Sequence, residues 1–206
     1  MNELSAIKRQ LSNRKSGILG SGTMQSAVLL PLVYVNNELS ILFEVRSKTL
    51  AKQPGEICFP GGKIDPTDPT PEAAAIRELT EEIGIPENKI KMIAPLDKLV
   101  TPFRGIIYPF IGELLCLDEL NINHDEVDHT FTVPLSYLYE HEPDVHSMKL
   151  WFEPGADFPI DKVPNKHAYS NRYNEISEHF YYYHEYVIWG LTARILNHFL
   201  DITKPS

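Results

Sequence analysis

The sequence predicts an α/β (α+β) sandwich, a mixed β-sheet held between α-helices. Three observations carry that expectation. Apolar runs at 25–35 and 39–46 flank Asn36-Asn37, which reads as two strands and a hairpin turn. A well-punctuated amphipathic segment follows at about 70–83. Further strand-like runs then lead to a second amphipathic segment at 187–200. Strands, helix, strands, helix in that order bury their apolar faces most simply as helices layered on one sheet.

Taken along the chain, 47–56 is polar, contains Pro54-Gly55 and reads as a loop. Glu56 to Phe59 reads as a short strand running into Pro60-Gly61-Gly62, a glycine pair at the mouth of a loop. For the helix at about 70–83, Thr70 is the cap, Pro71 fits the first helical position and Glu72 suits the positive end of the dipole. Ile76, Leu79 and Ile83 form its apolar stripe and Gly84 stops it. Strands are expected at 89–99 and 106–116, a short helix at 134–139 and a strand at 178–184, while the polar, Pro-rich stretch 141–175 supports no assignment. In the closing helix Ile188, Leu191, Ile195 and Phe199 share one side. Leu4, Ile7 and Leu11 predict a short amphipathic helix packed on the domain, within an N-terminal extension over 1–20.

The 206 residues suit a single domain spanning 1–206. A formal net charge of -9 argues against nucleic acid as a partner, because phosphate-backbone binding needs clustered Lys and Arg. The longest apolar run, 27–35, is far short of the roughly 20 residues of a membrane span, and no signal-peptide pattern opens the chain. Cys58 and Cys116 form no CxxC pair and no zinc spacing, so they read as free thiols of a reducing, cytoplasmic protein. The eight histidines show no ligand spacing.

The chemistry concentrates in residues 61–84, GGKIDPTDPTPEAAAIRELTEEIG. On a helix Glu78, Glu81 and Glu82 share a face, since i,i+3 and i,i+4 positions are neighbours. Carboxylates crowded in this way repel one another unless a cation joins them, and hard divalent ions such as magnesium prefer oxygen ligands. Glu78 and Glu82 suit one shared ion, with Glu81 bridging or binding a second. Arg77 lies four residues before Glu81 and can fix that side chain. Gly61 and Gly62 let the loop adopt positive φ and lie close to the helix.

This stretch resembles the Nudix box, Gly, five residues, Glu, seven residues, Arg-Glu-apolar-x-Glu-Glu-x-Gly-apolar. Arg77, Glu78, Leu79, Glu81, Glu82, Gly84 and Ile85 match its second half in full. The first half departs. The early Glu of the pattern falls on Pro69, with Asp65, Asp68 or Glu72 as stand-ins, and the glycine-to-arginine distance is one residue longer. The resemblance implies the Nudix fold, magnesium or manganese held by Glu78, Glu82 and Glu81, and a substrate in which a diphosphate is linked to another group.

The flank narrows the resemblance. Arg46, Ser47, Gly55, Phe59, Pro60, Gly61, Gly62, Asp65 and Asp68 are similar to the corresponding segment of coenzyme A pyrophosphatases, as are 126–135 and 188–193. Ala51 stands where that branch usually has arginine, Gln53 where it often has histidine, and Glu44 where it usually has Ser or Thr. The implied reaction is hydrolysis of the pyrophosphate of coenzyme A or acyl-CoA, giving phosphopantetheine, or its acyl form, and adenosine 3′,5′-bisphosphate. The alternative is ADP-ribose, NADH or another nucleoside diphosphate derivative. Glu81, Arg77 and Glu126 are the candidate catalytic residues, and Arg46, Gly61 and Gly62 the candidate substrate contacts. Stacking of an adenine ring on Phe180–Tyr183 is weighed against a strand with alternate residues in the core, and the strand is preferred. The expected partner is a small nucleotide-type molecule, and the chain is a monomer or homodimer.

Overall fold

Two β-rich runs and a two-residue turn start the fold: β1 (Gln25–Val35) and β2 (Glu38–Arg46) pair antiparallel across Asn36 and Asn37, whose φ values of 51° and 65° suit asparagine. The structure, a computed structural model, describes residues 3–14, 24–101, 105–117, 119–166 and 172–204. The predicted N-terminal extension therefore lies partly outside the described residues.

Around this hairpin an eight-stranded mixed sheet is ordered β3-β2-β1-β7-β5, where β3 is Ile57–Cys58, β5 is Ile90–Pro95 and β7 is Gly105–Leu114. The short β4 (Gly61–Lys63) pairs with β1, β6 (Leu99–Thr101) with β7, and β8 (Val127–Pro134) with β2. Only β1 and β7 run parallel; the other pairings in this sheet are antiparallel.

Successive strand residues point to opposite faces, and both faces are covered. Ala27, Leu29 and Val33 of β1 and Leu42 of β2 pack under helix α2 (Pro71–Ile83) with Ala74, Ala75, Leu79 and Ile83. Leu30, Ile41 and Phe43 pack on the other face with Leu138 of α3 (Leu135–Glu140) and Ile195, Leu196 and Phe199 of α4 (Gly190–Thr203). The same alternation carries Glu44, two residues beyond Leu42, to the α2 face.

Five expectations need correction. The apolar stripe of α1 (Glu3–Leu11) is not buried: Leu4, Ile7 and Leu11 are all exposed. Gly61 and Gly62 lie on a strand rather than in a loop, because β4 hydrogen-bonds β1 opposite Ala27 and Val28. The 89–99 run is two strands, broken after Pro95, whose ring removes a ladder donor. The unassigned 141–175 stretch contains β9 (Asp144–Phe152), which pairs with a long β10 (Arg172–Tyr183) and reads as polar because both its faces are largely exposed. The closing helix starts at Gly190; Tyr186–Ile188 instead form β11, which closes on Tyr181–Tyr183. In β10, Tyr181 is buried and Tyr182 exposed, the alternation expected of a strand.

Candidate active site

Helix α2 begins and ends as its sequence dictates. Thr70 Oγ1 accepts the Ala73 N–H at 3.1 Å, and Gly84, at φ 74°, donates its N–H to the Thr80 carbonyl. The helix thereby presents two acidic edges, and they differ.

The inner edge faces the sheet. The Gly61 N–H donates to Glu82 Oε2 at 2.8 Å, and Glu82 is only 2% exposed. Gly61 has φ 152°, and a Cβ there would lie 2.3 Å from the Ala27 carbonyl oxygen, so only glycine brings this N–H to the carboxylate. A Cβ on Gly62 would sit 2.5 Å from the Glu78 carboxyl carbon. The glycine pair thus shapes the cradle of two glutamates. Below them lies Glu44, with no exposed surface: its Oε1 accepts the Cys58 thiol at 3.0 Å, and its Oε2 is buried without a hydrogen-bond partner.

Burial chiefly sets the ionisation of this group. It pushes Glu44 up to about 7, opposed by the Cys58 hydrogen bond and Arg46 and reinforced by the charges of Glu126 and Glu78. Burial, then the Glu44 charge, pushes Glu82 upward against the Gly61 N–H, with Glu78 and Glu126 adding to the rise. Glu78 is raised by burial, opposed by Arg77. Burial and the neighbouring Glu44 push the Cys58 thiol well up, so it stays protonated and inert.

The outer edge is neutralised by Arg77. Its Nε and Nη2 donate to the two carboxylate oxygens of Asp68, each at 3.0 Å, its Nη1 to Glu81 at 2.9 Å and its Nη2 to the Lys63 carbonyl at 3.2 Å; Nη2 also lies 2.9 Å from Glu78. Asp68 is therefore the acid that meets the box arginine, among the three candidates Asp65, Asp68 and Glu72. Its hydrogen bond holds the Arg77 guanidinium above its ordinary value and Asp68 below the usual carboxylate range. Glu81 is paired with Arg77 as the spacing predicted, and its side chain is more than half exposed.

Two further candidates complete the site. Arg46 ends β2, where the pairing with β8 slips by a residue; it forms no ion pair among the described residues, and its buried Nε has no hydrogen-bond partner. Glu126 lies in the turn leading into β8, exposed, with its carbonyl accepting the Ser47 N–H at 2.8 Å. Its charge acts on Glu44, Glu78 and Glu82 together, so the structure gathers it with the predicted glutamates. Two small cavities, of about 120 and 90 Å³, lie between α3, β10 and α4 and share no lining residue with this cluster.

The donor set fits a hard divalent cation: carboxylate oxygens, one of them buried and orphaned, beside a cradle that a single Cβ would fill. Among the described residues no three Asp, Glu, His or Cys side chains converge as a ready-made cation site. Magnesium does not require that, since it typically takes one or two carboxylates together with water and substrate phosphates. Glu44 and Cys58 are the members of the cluster that sequence reasoning did not place in the site. The signal was the period-two alternation along β2, which puts residue 44 on the same face as Leu42.

The NUDIX domain family model matches residues 25–180. The mouse protein titled peroxisomal coenzyme A diphosphatase NUDT7 is 37% identical over 132 residues, covering 64% of this chain and 55% of its own length. The chain thus spans about half the length of that relative. A Photorhabdus laumondii protein titled uncharacterized Nudix hydrolase NudL is 32% identical over 190 residues, covering 87% of this chain and 84% of that one. A solved Caenorhabditis elegans Ap4A hydrolase matches at a TM-score of 0.46 with 19% identity, over 54% of this chain and 80% of that one. The chain belongs to the Nudix family. No helix of the described residues is long and apolar enough to cross a membrane.

Proposed function

We propose that the protein hydrolyses the pyrophosphate of coenzyme A or an acyl-CoA, releasing phosphopantetheine, or its acyl form, and adenosine 3′,5′-bisphosphate. The observation that carries this is the buried carboxylate cluster and an arginine with no carboxylate partner among the described residues: Glu78 and Glu82 against the glycine strand, Arg46 at the end of β2. The similarity to the mouse coenzyme A diphosphatase supports the substrate class.

Glu78 and Glu82, with Glu81 at the outer edge, are the residues that would hold magnesium or manganese. When bound there, the ion supplies charge neutralisation at the attacked phosphoryl group and a lowered pKa for water. The chain's own residues do the rest. Arg46 directs its guanidinium to a substrate phosphate, the planar bidentate contact for which arginine is suited. Gly62 keeps a side chain out of the space in front of Glu78, so a diphosphate can approach the strand, and Gly61 aims its N–H at Glu82. Glu126 takes the proton of the attacking water on a carboxylate oxygen, and Arg77 fixes Glu81 and Glu78 so that the acidic edge keeps its shape. The free thiols Cys58 and Cys116 suit a reducing compartment such as the cytoplasm.

A second reading keeps this chemistry and changes the leaving group to ADP-ribose, NADH or another nucleoside diphosphate derivative. It is favoured by Ala51, an exposed small residue where an arginine would reach a phosphate. One assay separates the two: coenzyme A, acetyl-CoA, ADP-ribose and NADH with magnesium or manganese, products resolved chromatographically. Release of adenosine 3′,5′-bisphosphate from the CoA substrates at the highest kcat/KM is expected. Brisk AMP release from ADP-ribose with the CoA substrates untouched would overturn the first reading.

A further inference from the structure

Glu44 is the most completely buried acid of the site, and nothing around it accounts for that burial. It has no exposed surface, its Oε2 has no hydrogen-bond partner, and its Oε1 receives only a thiol, a weak donor. Arg46, the residue of opposite charge acting on it, forms no ion pair with it and leaves its own Nε without a hydrogen-bond partner among the described residues. Ionised carboxylates are not buried without a partner, yet beyond the Cys58 thiol and the charge of Arg46 the groups that bear on Glu44 are acidic, Glu126 and Glu78, and Glu44 in turn bears on Glu82. The strand period aims Glu44 at the underside of α2, where Glu82 is held by the Gly61 N–H. Glu44 and Glu82 are two buried carboxylates, the charge of one bearing on the other, and such a pair suits something positive. Their oxygens select a hard cation, and the protonated thiol of Cys58 on the far side of Glu44 adds no soft ligand.

We propose that Glu44 is a direct ligand of a divalent cation, sharing it with Glu82 on the inner side of α2. This rests on the reading of Glu82 as a metal ligand and goes beyond it, because it places a carboxylate from outside the box helix in the coordination shell. A cation held by these two buried carboxylates would bind without substrate.

The test is manganese binding by calorimetry and manganese-induced thermal stabilisation, both without nucleotide, on wild type, Glu44→Gln and Glu82→Gln. The expected result is a loss of about tenfold or more in manganese affinity in each variant, with most of the manganese-induced rise in Tm gone and the metal-free Tm of Glu44→Gln at or above wild type. Manganese affinity in Glu44→Gln equal to wild type, with loss in Glu82→Gln alone, would overturn the role of Glu44 and leave the metal-site reading standing. No loss in either variant would overturn both. Crystals of wild type soaked in manganese give a check that does not depend on a variant folding. An anomalous peak touching Glu44 and Glu82 supports the proposal, and a peak on Glu82 with Glu44 out of reach overturns it.

Discussion

Helix α2 carries acid on both of its edges and holds it in two different ways. On the outer edge Glu81 and Asp68 are joined to the single cation Arg77, which answers both. On the inner edge Glu82 and Glu44 are buried with one backbone N–H and one thiol between them. Glu81 and Glu82 are adjacent in sequence, yet one side chain is more than half exposed and the other residue is buried. A turn of about 100° per residue around the helix separates a self-neutralised edge from one that stores unbalanced negative charge. The contrast teaches where binding energy for the proposed cation would reside: on the edge whose charges the fold leaves uncompensated.

The sharpest way to break this contrast is to neutralise each edge in turn. Glu82→Gln should lower kcat by on the order of 10³-fold, the scale of losing a principal electrostatic group in an active site, while the metal-free protein remains folded. Glu81→Gln should cost less, because Glu81 is already partnered by Arg77. Equal losses in steady-state assays at saturating magnesium would show that the edges are functionally alike.

The two glycines provide a second, smaller contrast. Gly62→Ala pushes a methyl into the Glu78 carboxylate, the mobile end of a side chain, so it should cut activity by roughly 10–100-fold with little change in Tm. Gly61→Ala meets the backbone carbonyl of Ala27 at a φ that disfavours side chains, so it should instead cost about 1–3 kcal/mol of stability. Denaturant melts and kcat measured on both variants separate the two effects; a Gly62→Ala protein with full activity would remove Glu78 from the site.

Much of this was legible in the sequence because the signals are local. Thr70, Pro71 and Gly84 bound α2, and Asn36-Asn37 fixed the first hairpin. The i,i+4 spacing of Arg77 and Glu81 foretold their contact. What sequence reasoning missed depends on long-range pairing. The charge of Glu44 bears on Glu82 in a fold where β3 lies beside β2 and leads through Pro60 to the Gly61 N–H. Asp68 was one of three equivalent acids until the turn at 65–68 closed, with the Asp65 N–H on Asp68 Oδ2, and turned its carboxylate to Arg77. β9 escaped notice because a strand exposed on both faces has no apolar alternation to read.

The two edges should also respond to pH with opposite sign, the smallest of these effects. For Glu44 the folded protein holds its proton more tightly than the unfolded chain, so the stability it contributes is complete below its ordinary 4.5 and is lost as pH rises through about 7. Glu82, also raised, extends that loss to higher pH. For Asp68 the folded state favours the ionised form, so its contribution is present above its ordinary 3.8 and fades as pH falls below it. In chelator-treated protein Tm should therefore decline from pH 5 toward neutrality and, separately, drop in acid below about pH 4. Glu44→Gln should flatten the neutral limb and leave the acid limb, whereas Asp68→Asn should lower Tm slightly above pH 4 and shrink only the acid limb. Manganese should reverse the neutral decline, since ionised carboxylates bind it and protonated ones do not. A neutral limb that persists unchanged in both Glu44→Gln and Glu82→Gln would mean that the inner carboxylates are not the source of the unbalanced charge, and the distinction between the edges would then rest on exposure alone.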